Sequence, residues 1–570
     1  MNCSMKFKMT TVALLVGSAM QANAALYKVV EVYPAQNGST SEYNEAYGVA
    51  IQAGNVYQDS GKTLPFDKGC FDNAAACGDE QFKLALETRI SVDGVSYREE
   101  VPFAMDPAFS YIQDYDDFRT YCFRELRYST CDTWASVHWA PWSKELSKDY
   151  TSNALAFVEG APNAYNNKYN NVINSLTEAG LPVGNQSVVK ADQTALETRN
   201  TVVAPVVPNG DFYQSRAWKT DGSYTSGSIA TSATNDYGSH HTSKAAIWDQ
   251  SGNVSQIAWP QVVDRDGNRL AQGSMRDFAL LRDENDKPIT IYGVGYNTFS
   301  DDNYLNASVF VGTIDDSAFD KTTWETKVVS GAQMKIGSDI IHSNSVVTNV
   351  NEKFVAVGEA KRSGSKPLEG AAANRLFLIE DVSEDSIAAT FLTSLDNLFF
   401  SGAGGKMGGI NNYNEIVGQV DAEDTREIDG KERRKRGFIF PYGGVGANQE
   451  RRAIFNDKAW FLDDLTNGSN APTSNNQYRI VDASDINDAG VISATAIKCD
   501  GGYDSTSHNA YCGGGSKAET IVAVKLVPIA GATSADIEAR PVDKAAAERK
   551  GAGLGWLSLT LLALFGFRRK

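Results

Sequence analysis

The sequence predicts an all-β protein with a β-propeller-like repeat body, interrupted by one mainly helical insertion at about residues 106–180. Three observations predict this. Short runs rich in β-branched and aromatic residues recur along the chain, among them LYKVVEVY (26–33), ITIYGVGY (289–296), RLFLIED (375–381) and TIVAVKLV (520–527), each bounded by turn residues. A nine-residue unit repeats at 350–358, 410–418 and 486–494. One stretch alone, with DDFRTYCFRELRY, WAPWSKELSKDY and NNKYNNVINSLTEAG, follows helical rather than alternating periods.

The repeat carries the argument for a propeller. In VNEKFVAVG, INNYNEIVG and INDAGVISA the second position is always asparagine: Asn351, Asn411 and Asn487. Positions one and seven are apolar and position nine is small, which describes a strand, a tight turn and a returning strand. An Asn side chain bonds backbone amides just downstream, and Asn or Gly tolerates the left-handed conformation such turns need. Asn414 and Gly490 stand at that left-handed position, whereas Phe354 departs from the rule. Weaker echoes lie at TNDYG (234–238) and before IYGVG (291–295). Copies 60 and 76 residues apart are blade-sized, and a body spanning 25–528 holds roughly six to eight blades. Paired β-sandwich domains are the competing fold, but they would not require one recurring hairpin.

The ends read as addresses. Lys6 and Lys8, an apolar run over 11–20, and the small-x-small site ending at Ala24 make a secretory signal peptide over 1–24, with signal peptidase cutting before Ala25. A Pro-, Ala- and charge-rich linker is expected over 529–550. The chain then closes on GAGLGWLSLTLLALFGFRRK (551–570), a short hydrophobic helix with a basic end. About 17 apolar residues reach roughly 25 Å, short of a ~30 Å hydrocarbon core. Gly551, Gly553 and Gly555 weaken the helix where it would meet the outer boundary. Arg568, Arg569 and Lys570 would hold its end on the cytoplasmic side of the inner membrane.

Composition narrows the partners. The chain has 570 residues and a formal net charge of −17, which becomes −22 without the five basic residues of the terminal segments. Such a surface repels phosphate backbones, so no nucleic acid partner is expected. After cleavage six cysteines remain in three close pairs, and export to an oxidising compartment predicts Cys70–Cys77, Cys122–Cys131 and Cys499–Cys512. Zinc is disfavoured, because the pairs lack knuckle spacing and the five histidines are scattered.

Candidate sites are few. Asp264, Asp266 and Asn268 in DRDGN have the rhythm of a calcium loop but not its full ligand set, so a turn is the plainer reading; calcium is the one cofactor considered. GAGGKMGG (402–409) fails phosphate-loop spacing and reads as a flexible loop. KERRKR (431–436) reads as an exposed mixed-charge hairpin tip open to nicking. Trp134, Trp139 and Trp142 are expected to bury against the propeller, with a sugar-binding surface as the alternative. Neither G-x-S-x-G nor HExxH occurs, so no catalytic or cofactor-binding residue is nominated.

The nine-residue unit resembles the extracellular HAF repeat, roughly I-N-[ND]-x-G-x-[VI]-V-G. The tail resembles the GlyGly-CTERM sorting signal, although Gly551-Ala552-Gly553 replaces adjacent glycines. That resemblance implies processing by a rhombosortase-like intramembrane protease and passage through type II secretion. Signal, acidic repeat body and tail together resemble the uncharacterised domain of unknown function 3466. The expectation is therefore an exported, cell-surface or secreted binding or scaffold module with a transiently membrane-anchored precursor. The alternative is a secreted hydrolase with a carboxylate or metal site on one propeller face.

Overall fold

A computed structural model describes residues 25–542, except for 35–44, 55–68, 73–76, 90–113, 124–130, 151–153, 162–168 and several loop stretches of one to five residues. Residues 1–24 and 543–570, and with them the signal segment and the apolar tail, lie outside the described residues.

Seven antiparallel sheets of three or four strands follow one another along the chain. Blade 1 comprises Glu45–Ile51, Leu84–Arg89 and Ala154–Val158, and blade 2 comprises Asn171–Leu176, Pro182–Val189 and Leu196–Val203. Blade 3 runs from Gln214–Thr220 to Val254–Gln256, blade 4 from Gly273–Arg282 to Thr323–Val328, and blade 5 from Val346–Val350 to Thr390–Phe391. Blade 6 runs from Gly405–Ile410 to Trp460–Phe461. Blade 7 joins Tyr478–Ile486, Ile492–Cys499 and Glu519–Pro528 to the first strand of the chain, Tyr27–Glu31, with Tyr27 opposite Pro528. The first strand of every blade packs against its counterpart on both sides, so the sheets form a closed seven-bladed propeller. The propeller expectation holds, and the blade number falls inside the expected six to eight.

Each seam between blades is filled by its own apolar cluster. Examples are Val183, Val202, Ala217 and Trp248 between blades 2 and 3, and Phe399, Met407, Ile416 and Phe438 between blades 5 and 6. A fully buried side chain of this size contributes roughly 1.5–3 kcal/mol, so the seams supply the main drive to close the ring. All seven inner strands carry a register shift against their second strand. A bulge sharpens local twist, which suits strands that must pack side by side around an axis.

The repeat asparagines act in two directions. Asn411 Oδ1 accepts from the Tyr413 and Glu415 amides, both at 3.0 Å, while its own amide donates to the Glu415 carbonyl. Its Nδ2 then crosses the seam to the Asn487 carbonyl at 3.1 Å. Asn351 Nδ2 reaches the Asn411 carbonyl at 2.9 Å, and Asn487 Nδ2 reaches the Gln52 carbonyl at 3.0 Å. Gln52 Nε2 in turn donates to the Glu178 carbonyl at 2.6 Å. One chain of amide-to-carbonyl bonds thus runs from blade 5 through 6, 7 and 1 to blade 2. We call the end of the ring that carries these first turns the turn end, and the opposite one the crossover end.

Two further copies escaped the sequence pattern. Thr177 replaces Asn in blade 2, where its Oγ1 accepts from the Leu181 amide at 3.0 Å and Gly180 has φ +72°. Asp283 does so in blade 4, accepting from Asn285 and Lys287 at 2.8 and 2.9 Å, with Asp286 at φ +64°. Phe354, the exception in the pattern, still takes φ +64°. Its ring lies 5.1 Å from that of Tyr292 in the neighbouring blade. That packing offsets the cost of about 1–2 kcal/mol for a bulky left-handed residue.

Several expectations are corrected. The helical insertion is confined among the described residues to α1 (Tyr115–Tyr121) and α2 (Cys131–Leu146), and it leaves blade 1 between its second and third strands. The remainder of 106–180 contains the strands Ala154–Val158 and Asn171–Leu176. Ile173 and Leu176 share one buried face at helical spacing because a register shift between Ile173 and Ser175 breaks the alternation. Trp134 and Trp139 pack around Phe118 of α1, with ring centroids 6.2 and 6.1 Å away, as a small core of the insertion. The Trp142 side chain lies outside the described residues. GAGGKMGG is no flexible loop, since Gly405–Ile410 is the inner strand of blade 6. A Cβ on Gly408 would stand 2.1 Å from the Ala483 carbonyl oxygen. The expected linker is docked as far as Pro541, whose carbonyl accepts from the His508 amide, because Arg540 supplies charge to buried aspartates.

Replacing Asn411 or Asn487 with Ala leaves buried amides without their acceptor and cuts one link of the chain, so each should cost about 2 kcal/mol in chemical denaturation. Gly408→Ala should cost a similar amount or more by overpacking against backbone. Unchanged denaturation midpoints in all three variants would show the first turns to be incidental.

Candidate functional site

Three first turns meet at the turn end of blades 5, 6 and 7. Position three of each repeat extends the interlock: Glu352 N donates to Asn412 Oδ1, Asn412 N to Asp488 Oδ1 and Asn412 Nδ2 to Asp488 Oδ2, all at 2.9 Å. Beside them runs the connection from the third to the fourth strand of blade 6, tied down where Asn414 Nδ2 donates to the Val445 carbonyl at 2.9 Å. Together they enclose a groove of about 480 Å³ lined by Glu352, Lys353, Asn412, Tyr413, Gly446, Ala447, Asn448 and Asp488. Gly446, at φ +81°, lets the backbone lie against the Lys353 stem. Partial desolvation in the groove, with the side chain still exposed on one side, and the nearby Asp488 charge raise the Glu352 carboxyl above its ordinary value.

Beneath the groove lies a buried ion pair. Arg451, on α3 (Gln449–Ile454), is 1 % exposed and donates to both oxygens of Glu415, from Nε at 2.6 Å and from a terminal nitrogen at 2.7 Å. Another terminal nitrogen donates to the Asp488 carbonyl, Asn411 Nδ2 shares Glu415, and the guanidinium lies 4.3 Å from the centre of the Tyr413 ring. Burial works against the Arg451 charge, yet Glu415 wins and holds its pKa above the ordinary value. The groove floor is therefore fixed from below by a bidentate pair in low dielectric.

The inner strands of blades 3 and 4 carry mixed charge. Arg276, at the inner-strand bulge of blade 4, lies 3.6 Å from the Trp218 ring centre and 5.2 Å from that of Tyr296. Toward the turn end, Lys219 faces Asp277 and Asp485; burial opposes its charge, but those carboxylates raise its pKa. Asp277 is itself held by the Phe278 and Val350 amides, at 2.8 and 3.3 Å.

At the crossover end, blades 6 and 7 enclose a second ionic cluster. Arg436 Nε lies 3.0 Å from Asp463 Oδ2, on α4 (Leu462–Leu465), and His508 Nε2 lies 3.0 Å from Asp464 Oδ1. Arg540 donates from its amide to Asp464 at 2.8 Å and from Nε to the Asp463 carbonyl at 2.8 Å. Burial opposes ionisation of Asp463, but His508, Arg436 and Arg540 depress its pKa to about 2. Burial likewise opposes the His508 charge, and Asp463 with Asp464 raises it nonetheless. Arg479, pushed down to about 10 by burial and by Arg540, bonds only carbonyls and Asn476. This cluster anchors the segment ending at Pro541.

The sequence candidates fall as follows. Cys70–Cys77, Cys122–Cys131 and Cys499–Cys512 are disulfides, and the last closes the loop that carries His508. Asp264 and Asn268 lie outside the described residues; Arg265–Asp266 pairs with Arg269–Leu270 as a small hairpin. Among the described residues no group of three or more His, Cys, Asp or Glu is arranged to hold a metal. In KERRKR, Arg433 and Arg436 are buried rather than exposed, because Asp421 and Asp463 neutralise them. Ala24, Gly551, Gly553 and Gly555 lie outside the described residues, whereas Ala25 is fully buried. Asn351, Asn411 and Asn487 come together at the turn end, but the groove residues that flank them were not singled out. Their positions inside the repeat were the available signal.

Comparison with known proteins gives a family and no activity. A family model described as "Protein of unknown function (DUF3466)" matches residues 229–570, more than half of the chain, and the chain belongs to that family. No curated protein matches. Among solved structures, a Bombyx mori GH32 beta-fructofuranosidase is similar at 11 % identity and a TM-score of 0.21. That match covers 42 % of this chain and 53 % of the enzyme, so the chain spans about half of its length. At that TM-score the likeness carries no functional conclusion.

Arg451→Met should cost about 3–5 kcal/mol, because it leaves Glu415 charged and buried without its partner. Adding Glu415→Leu should recover much of that loss, which a double-mutant cycle in denaturant would measure. A raised histidine contributes stability that is full below about pH 6.5 and is lost as pH rises through its higher folded value. Amide protection over 537–540, corrected for the intrinsic base-catalysed rate, should therefore fall as pH rises above about 6.5, and His508→Gln should remove that fall.

Proposed function

We propose that this member of the DUF3466 family is an exported, cell-surface or secreted propeller that works as a binding or scaffold module through its turn end. One observation carries the reading: the groove is preformed, polar and built from interlocked first turns over a fixed ion pair, an arrangement suited to holding a ligand without reorganisation. Three disulfides support an oxidising environment. Ala25, the residue expected to follow signal cleavage, is fully buried.

Anchoring belongs to the same proposal. Among the described residues no helix is long and apolar enough to cross a membrane. In this reading the 551–570 tail holds the precursor in the inner membrane until a rhombosortase-like protease cuts near Gly551, Gly553 and Gly555, and type II secretion then carries the body outward. The Arg540 anchor keeps the body intact upstream of that cut.

A second reading is a hydrolase, favoured by a single observation: Glu352, with its raised carboxyl, shares the groove with Asp488. Polysaccharide, lipid, peptide and phosphoester substrates separate the two. Turnover abolished by Glu352→Gln would replace the binding reading with the hydrolytic one; ligand retention without turnover supports binding.

Intact-mass measurement of the exported protein should show a chain starting at Ala25 and ending close to Gly551–Gly555. Replacing Gly551, Gly553 and Gly555 with Leu should trap the precursor in the membrane. A mature chain that still ends at Lys570 would remove the sorting step from the proposal.

A further inference from the structure

The groove at the turn end offers an unusual set of unused polar groups. The Glu352 carboxylate, the Lys353 ammonium and Asn448 Nδ2 make no hydrogen bond or ion pair to the protein among the described residues. Asn448 Oδ1 is already committed to the Arg451 amide at 3.0 Å, which turns its Nδ2 away from that bond. Asp488 spends each oxygen on Asn412, at 2.9 Å, and keeps one lone pair per oxygen in reserve. Ala447, the Gly446 methylene and the Tyr413 ring supply the apolar part of the wall. Arg451 already stacks against Tyr413 and steadies it.

Two carboxylates repel phosphate and other anions, Lys353 weakens the pull on a basic peptide, and no group of three or more His, Cys, Asp or Glu is arranged among the described residues to hold a bare cation. A hydroxyl both donates and accepts, so a ring of neighbouring hydroxyls can satisfy carboxylate, ammonium and amide groups together. Its C–H face can lie against Tyr413 and Ala447. The groove volume of about 480 Å³ suits a ligand of one to two such rings. We infer that the groove formed by Glu352, Lys353, Asn412, Tyr413, Asn448 and Asp488 is a binding subsite for a neutral saccharide. This inference rests on the binding-module reading and gives that module its ligand class. The interlocked Asn412 and Asp488 are ordered before the sugar arrives, which lowers the entropy cost of recognition.

The test uses the full exported protein and titration calorimetry against soluble α-glucan, β-glucan, xylan, galactan and chitooligosaccharides. Calcium and a Lys/Arg-rich peptide form the contrasting arms. Glu352→Gln and Lys353→Met probe the two uncommitted charges without touching the turn interlock, and their melting temperatures should match the parent. We expect at least one saccharide to bind, and each variant to weaken it tenfold or more. Saccharide binding unchanged in both variants would overturn the assignment to this groove, and binding of no saccharide would overturn the ligand class. Calcium or peptide binding that Glu352→Gln abolishes would overturn the saccharide while leaving the binding module standing. Loss of every ligand, together with turnover of a substrate, would overturn the module itself.

Discussion

Closing a sheet sequence into a ring demands that each blade recognise the next at a defined height, and from blade 5 through 6, 7 and 1 to blade 2 one side chain per turn does so. The position-two amide caps its own turn with its oxygen and the neighbour's carbonyl with its nitrogen. Apolar seams are non-directional and would tolerate sliding; a chain of short, buried amide-to-carbonyl bonds does not. Fixing height in this way aligns the third positions as well, which is why Asn412 and Asp488 meet at both of their polar ends. The groove is thus a by-product of blade registration, and its rigidity is inherited from the same bonds.

Blades 6 and 7 concentrate the strongest electrostatics. The Arg451–Glu415 pair lies at one end of their seam and the Asp463–His508–Arg540 cluster at the other. Both are buried and both are completed by backbone carbonyls, which satisfies the remaining guanidinium protons and limits the desolvation cost. The seam against which Leu26–Tyr27 and Ala532 pack is therefore pinned by charge at its two extremities and by hydrocarbon between them. Arg436, Arg451, Arg479 and Arg540 sit at these two extremities, where geometry makes them specific.

How much of this was legible depends on what each residue had to do. Asn351, Asn411 and Asn487 announced their turns because a side chain that bonds its own backbone leaves a local signature. Thr177 and Asp283 cap their own turns with a different oxygen, so a pattern written for asparagine passed over them. The close cysteine pairs were readable from spacing and compartment. Inner-strand bulges were not, since a single extra residue makes an extended run such as NVINSL imitate a helix. The glycines of GKMGGI looked like a loop because nothing local records that the Ala483 backbone lies 2.1 Å from where a Cβ would stand. The groove and the ionic clusters join residues tens to hundreds of positions apart, and no local pattern encodes such meetings.

The last blade is completed by the first strand, with Tyr27–Glu31 laid against Glu519–Pro528. A growing chain releases that first strand at once but offers its partner only after nearly every other blade has been made. Until then the opening segment is an unpaired ribbon and the unfinished circle has two raw edges. Assembly must wait for synthesis to finish, and the final act is a splice between beginning and end. Such a molecule has no half-built form with the same shape: it is open throughout its making and becomes endless in one event.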